Sequence, residues 1–188
     1  MHPHTSTKQE ALDTIANEIV HCKTCKEHSI GKAVPGEGSP DARVMFVGEA
    51  PGKLEAETGR PFIGRSGKLL RAMIGDSGML EKDVYITSPV KYLPTYKTPN
   101  SEDIAHGKTH IDKQIAVINP QIIVLLGSVA IQAVLGEKIP VLSRHGTIVE
   151  KNGRTYFLTM HPAAVLRNPT LSKTFAQDFT KLKNLLAK

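Results

Sequence analysis

Long apolar segments are missing from this sequence of 188 residues. No run approaches the roughly 18 consecutive apolar residues that a membrane-spanning helix needs. The polar residues 1–10 also lack the apolar stretch of a secretory signal, so we expect a cytoplasmic protein without membrane association. The Walker and dinucleotide-binding glycine patterns are absent too, which leaves nucleotide hydrolysis and hydride transfer with little support.

Cysteine is scarce as well. Only Cys22 and Cys25 occur, in a CxxC arrangement. In a reducing compartment, such a pair indicates metal ligands or a redox couple before it indicates a structural disulfide. The pair is therefore a candidate metal site.

The remaining composition supports one core and a basic surface. Hydrophobic residues make up 40% of the chain, which at this length predicts one domain over residues 1–188. The formal net charge is +6, from 24 Lys and Arg against 18 Asp and Glu. This excess of positive charge favours a polyanionic partner.

Helical and strand-like segments alternate along the chain. Apolar residues at helical spacing predict helices over residues 8–20, 66–74, 101–118, 129–135 and 172–187. Short apolar runs predict strands over residues 43–47, 83–87 and 122–126, and a hairpin turn at residues 152–153 precedes a last strand that stops at His161. This alternation predicts an α/β fold with a largely parallel, layered sheet.

Three polar residues, Glu49, Ser88 and His161, directly follow predicted strands. Ligands of parallel sheets bind beyond the carboxyl ends of the strands, so we expect these residues to form one site. The loop over residues 88–100 contains three prolines and is predicted to lack regular structure. Ser66 is the expected N-cap of the second helix.

Glycine is concentrated in residues 48–67, where it occurs five times. Such a loop can bring its backbone close to a phosphate or a base edge, although the glycines could equally form tight turns only. A second dense segment covers residues 160–169, in which an apolar Leu166 stands beside a cationic Arg167. This pairing suits a wedge that enters a base stack and contacts phosphate, whereas a lone histidine such as His161 is more often structural.

The two segments, GEAPGKLEAETGRPFIG at residues 48–64 and HPAAVLRN at residues 161–168, resemble the motifs of the family 4, iron-sulfur type uracil-DNA glycosylases. The resemblance extends from about residue 20 to residue 183. It implies a three-layer α/β/α sandwich around a mainly parallel, four-stranded sheet. It also implies an enzyme that hydrolyses the N-glycosidic bond of uracil in DNA and leaves an abasic site. We expect the protein to act as a monomer.

The same resemblance implies roles for individual residues. Glu49 matches the carboxylate that organises the attacking water, and Phe62 matches the aromatic platform under the extruded base. His161 matches the histidine that hydrogen-bonds the uracil O2 atom. The backbone amides of Gly48 and Glu49 complete the base pocket.

Other residues are expected to contact the DNA. Leu166 and Arg167 match the loop that enters the duplex, and Ser66 is assigned to the same DNA contact. Further basic residues near the predicted site could follow the DNA backbone; they are Arg65, Lys68, Lys91, Lys97 and Arg144.

One departure from the family pattern concerns base selectivity. Ser88 stands where family members have an asparagine whose amide pairs with the uracil edge. A hydroxyl offers a single donor in place of the amide fork, so discrimination of uracil is expected to weaken. Hypoxanthine and xanthine therefore stay open as substrates.

A second departure concerns the [4Fe-4S] cluster, which family members hold with four cysteines. Cys22 and Cys25 match the first two ligands, whereas Tyr92 and His106 stand at the third and fourth positions. We favour a cluster held by these residues, because a ligand-capable histidine is retained. A zinc site that adds His110 or His28, or no metal at all, stays open.

Two non-glycosylase functions compete with this interpretation. A protein could recognise damaged or single-stranded DNA without excision, but it would have no need for both Glu49 and His161. A metal-dependent redox or hydrolytic protein centred on the CxxC pair would leave the two long motifs unexplained.

Overall fold

The computed structural model describes residues 4–187, with side chains from residue 7 onward. The α-helices of this part are α1 His4–His21, α2 Lys23–Lys26, α3 Lys53–Thr58, α4 Arg65–Asp76, α5 Ser101–Ile118, α6 Ser128–Leu135, α7 Val141–Arg144, α8 Pro162–Arg167 and α9 Ser172–Leu186. The strands are β1 Ser29–Ile30, β2 Glu37–Gly38, β3 Val44–Val47, β4 Val84–Thr87, β5 Leu93–Pro94, β6 Ile122–Leu126, β7 Thr147–Lys151 and β8 Arg154–Thr159. Single 3₁₀ turns at Glu81–Asp83 and Pro169–Leu171 precede β4 and α9.

The main sheet has the strand order β2-β4-β3-β6-β8-β7. Its four central strands are parallel, which confirms the predicted four-stranded parallel sheet. The edge strands β2 and β7 are antiparallel and extend that sheet on both sides. The predicted hairpin turn joins β7 to β8, with Asn152 and Gly153 both at positive φ, as a tight hairpin requires.

Side chains of the central strands pack alternately on the two sides of the sheet. In β3, Met45 and Val47 join a core cluster with α1, α5 and α6, whereas Val44 and Phe46 join a second cluster with α4 and α9. Because both faces of the sheet are covered, β3 and β6 are continuously apolar. The three-layer α/β/α sandwich is thereby confirmed.

Two local expectations were wrong. The proline-rich loop contains β5, which pairs antiparallel with β1. Helix α4 begins at Arg65 with Gly64 at its N-cap, so Ser66 lies inside the first turn. Helix α5 begins where expected, because the Asn100 side chain accepts from the backbone N–H groups of Glu102 and Asp103 in a capping box.

Within residues 4–187, no helix combines the length and the apolar character that crossing a bilayer requires.

Candidate active site and metal centre

The carboxyl ends of β3, β4 and β8 open onto one cleft with a volume of about 540 Å³. Its lining includes the polar residues that follow these strands, namely Glu49, Ser88 and His161. The cleft is also lined by Phe62, Ser66, Leu166 and Arg167, and by the basic residues Lys53, Arg65 and Lys97. The residues predicted to form one site from distant parts of the sequence thus share one cavity.

Phe62 lies beside this cleft, and hydrogen bonds hold its backbone in place. Its backbone adopts a left-handed conformation with φ of 52°, which is rare for a bulky residue. The guanidinium of Arg71 fixes this conformation by donating to the carbonyl oxygens of Phe62 and Pro61 at 2.9 and 2.8 Å. Gly67 lets α4 approach, since a Cβ there would lie 2.0 Å from the Phe62 carbonyl carbon. Strained backbone that is fixed in this way is typical of functional sites.

Glu55 organises the same loop, a role that the sequence pattern did not predict. Its side chain is buried, and Oε1 accepts from the backbone N–H groups of Ile63 and Gly64 at 2.9 and 2.8 Å. A buried carboxylate is tolerated when hydrogen bonds satisfy it. The glutamate at this position of the glycine-rich segment was visible in the sequence, but nothing there showed which amides it binds.

His161 is oriented by the helix that it caps. Its Nδ1 atom accepts from the backbone N–H of Ala163 at 3.2 Å, so in the neutral ring the proton resides on Nε2. Burial, with a further contribution from the charge of Arg167, lowers the pKa of His161 to about 4. The ring centroid lies 5.8 Å from that of Phe62, with the planes tilted by 37°. At neutral pH the site therefore contains a neutral imidazole with one N–H donor.

Glu49 and Ser88 add a carboxylate and a hydroxyl to the cleft. Burial raises the pKa of Glu49 above its ordinary value, and the nearby charge of Arg167 opposes that rise. Ser88 is 6% exposed, and its Oγ atom would lie 3.0 Å from a Cβ at Gly48. Gly48 itself is buried beneath Phe62.

The residues expected to contact DNA differ in their placement. Leu166 is 38% exposed at the end of α8, and Arg167 beside it is exposed at the rim of the cleft. The expectation for Lys91 was wrong, because this lysine is 1% exposed. Its ammonium donates to Thr87 Oγ1, Gln114 Oε1 and the Pro35 carbonyl oxygen at 2.8 to 3.0 Å. Lys91 therefore binds the last residue of β4, and its buried ammonium group cannot contact a DNA phosphate.

A separate cluster of possible metal ligands lies between α2 and α5. The ligand atoms of Cys22, Cys25, His106 and His110 all lie within 4.8 Å of one another. His110 completes this group of four, whereas the hydroxyl of Tyr92, the residue that the family pattern suggested, donates to the Val20 carbonyl oxygen at 3.3 Å.

This donor set does not fit a [4Fe-4S] cluster. Such a cluster binds each of its four protein ligands through a different iron atom, usually with four cysteine sulfurs. Here only two sulfurs are present, and Cys22 Sγ lies 3.1 Å from His106 Nε2 while Cys25 Sγ lies 3.3 Å from His110 Nε2. Donors this close converge on a single point.

Comparison with known proteins agrees with the fold. Residues 35–186 match the family described as the uracil DNA glycosylase superfamily, to which this chain belongs. Within it the chain is similar to the type-4 uracil-DNA glycosylase of Sulfurisphaera tokodaii, with 39% identity over 94% of this chain and 85% of that protein. The type-4 enzyme of Thermotoga maritima is 35% identical over 97% of this chain and 98% of its own length. That of Archaeoglobus fulgidus is 36% identical over 95% of both chains.

Proposed function

We propose that this protein is a DNA-repair glycosylase that hydrolyses the N-glycosidic bond of a uracil flipped out of DNA and leaves an abasic site. The observation that carries this proposal is the single cleft shared by Glu49, Phe62 and His161. A carboxylate, an aromatic plate and a neutral imidazole donor are the groups that such a reaction uses. The type-4 relatives support uracil as the substrate.

The extruded base stacks on Phe62 and points its O2 atom at His161. An aromatic face suits a ring that has lost its neighbours in the duplex. The Nε2–H group of His161 donates to O2, where negative charge grows as the base leaves. A neutral imidazole serves this purpose because it keeps its proton while it stabilises the anion, and its low pKa keeps it neutral at the pH of the cell.

Glu49 acts on the sugar side of the same bond. Its carboxylate orients a water molecule toward C1′ and stabilises the positive charge that develops on the sugar. The water oxygen forms a bond to C1′, and the electron pair of the C1′–N1 bond leaves with uracil as an anion. The proton released by the water passes to the Glu49 carboxylate.

The rim of the cleft provides the contact with DNA. The exposed Leu166 is the wedge that fills the space left by the flipped nucleotide, and Arg167 and Arg65 neutralise neighbouring phosphates. A single cleft holds all of these groups, so we expect a monomer to suffice.

An excision assay tests the proposal. The protein is incubated with oligonucleotides that contain one uracil, hypoxanthine, xanthine or, as the control, thymine, in single and double strands, and abasic sites are cleaved with alkali. We expect cleavage at uracil, none at thymine, and loss of cleavage in Glu49→Gln. Because Ser88 lacks an amide fork, excision of hypoxanthine or xanthine is the second candidate function. Tight binding of uracil-DNA without cleavage of any substrate would contradict the proposal.

A further inference from the structure

The short helix α2 and the long helix α5 bring the four metal-ligand candidates together. Cys22 is the N-cap of α2 and Cys25 lies within that helix, where the Cys25 backbone N–H donates to Cys22 Sγ at 3.4 Å. His106 and His110 lie four residues apart in α5 and therefore on one face of that helix. Their rings meet edge to face with centroids 5.3 Å apart.

The spacing of the donors matches a single tetrahedral ion. Zinc binds cysteine sulfur at about 2.3 Å and histidine nitrogen at about 2.0 Å, so its four ligand atoms lie about 3 to 4 Å apart. The sulfur–nitrogen distances of 3.1 and 3.3 Å and the overall limit of 4.8 Å agree with that geometry. Two thiolates with two imidazoles form a ligand set that suits zinc better than calcium or magnesium, which prefer oxygen.

The burial of His110 also favours a bond between its ring and a metal ion. This imidazole is 6% exposed, and among the described residues its Nδ1 atom has no hydrogen-bond partner. A buried polar group without a partner is destabilising and needs an explanation. Nδ1 itself would stay unpaired, but a metal–nitrogen bond at Nε2, which lies 3.3 Å from Cys25 Sγ, would offset part of the cost of burying this ring.

From these contacts we propose that this glycosylase holds one zinc ion with Cys22, Cys25, His106 and His110, in the place where the family 4 pattern has an iron-sulfur cluster. Tyr92 is not a ligand in this proposal. His110, which lies one turn after His106 in α5, is the fourth ligand in its place. The ion has a structural role, because it joins α2 to α5.

The zinc site also supports the base pocket through α5. Gly107, directly after His106, packs so tightly on the loop that a Cβ there would lie 2.5 Å from the Pro89 carbonyl oxygen. Pro89 follows Ser88, which lines the cleft. Loss of the ion is therefore expected to disturb the position of Ser88 as well as the stability of the fold.

Metal analysis of the purified protein tests this proposal without any DNA. Cells are grown with both iron and zinc, and the chain is analysed for metals and acid-labile sulfide. We expect one zinc per chain and no sulfide. Replacement by Co²⁺ should give the visible absorption of a tetrahedral cobalt–thiolate site. Iron with stoichiometric sulfide, a Cys22–Cys25 disulfide without metal, or a protein that takes up neither ion would overturn the proposal.

Variants separate the proposed ligands from their neighbours. His110→Ala should lower the zinc content at least tenfold, whereas Tyr92→Phe and His28→Ala should each retain one zinc per chain. His110→Cys keeps a zinc ligand, so it should fold, bind one ion and strengthen the sulfur–cobalt charge-transfer band. Full zinc content in His110→Ala, loss of zinc in Tyr92→Phe, or an unchanged cobalt spectrum in His110→Cys would contradict the assignment.

Discussion

The ring of Phe62 lies so close to the backbone of Gly48 that a Cβ at residue 48 would fall 2.4 Å from Phe62 Cζ. Gly48→Ala must therefore displace the ring that we propose as the platform for the base. We expect kcat/KM for uracil excision to fall at least about tenfold, and overpacking to lower the free energy of unfolding by about 1–3 kcal/mol. Single-turnover excision and urea unfolding measure the two effects.

Gly75→Ala provides the matched control for this substitution. A Cβ at Gly75 would meet nothing within 4 Å, and the residue lies in the last turn of α4. Alanine favours the helix over glycine, so stability should be unchanged or rise by up to about 1 kcal/mol, with full activity. Equal activity in Gly48→Ala and Gly75→Ala would show that the position of the Phe62 ring does not matter.

Glu55 is expected to act by positioning the loop that carries Phe62. Glu55→Ala leaves the amides of Ile63 and Gly64 without their acceptor, whereas Glu55→Gln keeps one oxygen in place. We expect kcat/KM to fall about tenfold or more in the alanine variant and to recover most of that loss in the glutamine variant. If the two variants lose activity equally, the negative charge of Glu55 matters, and positioning by hydrogen bonds alone is wrong.

The charge of Arg167 should set the acid side of the pH–activity profile. Burial raises the pKa of Glu49 and Arg167 lowers it, so removal of that charge raises the pKa further. Activity requires the carboxylate and is lost as the pH falls through this pKa. The acid limb of kcat/KM should therefore move to higher pH in Arg167→Met. Arg65→Met, which removes another charge from the cleft, should leave the limb in place; a shift of equal size there would exclude a specific effect of Arg167.

Base selectivity should respond to residue 88. Ser88→Asn supplies the amide fork that the family pattern has at this position, and residue 88 lines the cleft. We expect the ratio of kcat/KM for uracil over hypoxanthine to rise about tenfold, which corresponds to about 1.4 kcal/mol. Ser88→Ala is the control and should leave the ratio unchanged or lower it. An unchanged ratio in Ser88→Asn would place the recognition of the base edge elsewhere.

The sequence predicted those elements whose signals are local. Strand β6 was predicted with its observed bounds because a fully buried parallel strand is a continuous apolar run. Helix α5 began where expected, after the capping residue Asn100. The edge strand β2 covers two residues and has no periodicity to detect, so only the sheet that it joins reveals it.

In the site too, some features could be predicted from the sequence, whereas others depend on contacts between distant elements. That Glu49, Ser88 and His161 would share a cleft could be predicted, because parallel strands end at one edge of the sheet. The burial of Lys91 could not, since its partners Thr87 and Gln114 lie on other elements. His110 could be named only as one of several candidate ligands until α5 was seen to place it opposite Cys25.

In the proposed mechanism, a neutral His161 stabilises the departing uracil. The most direct test is the single-turnover rate of uracil release by His161→Asn, which keeps an N-cap acceptor for α8 but lacks the imidazole donor. Binding is measured separately with an oligonucleotide whose 2′-fluorinated deoxyuridine resists cleavage. We predict a rate about 10²–10³ times lower with binding nearly unchanged. Uracil release at the wild-type rate in this variant would contradict the account.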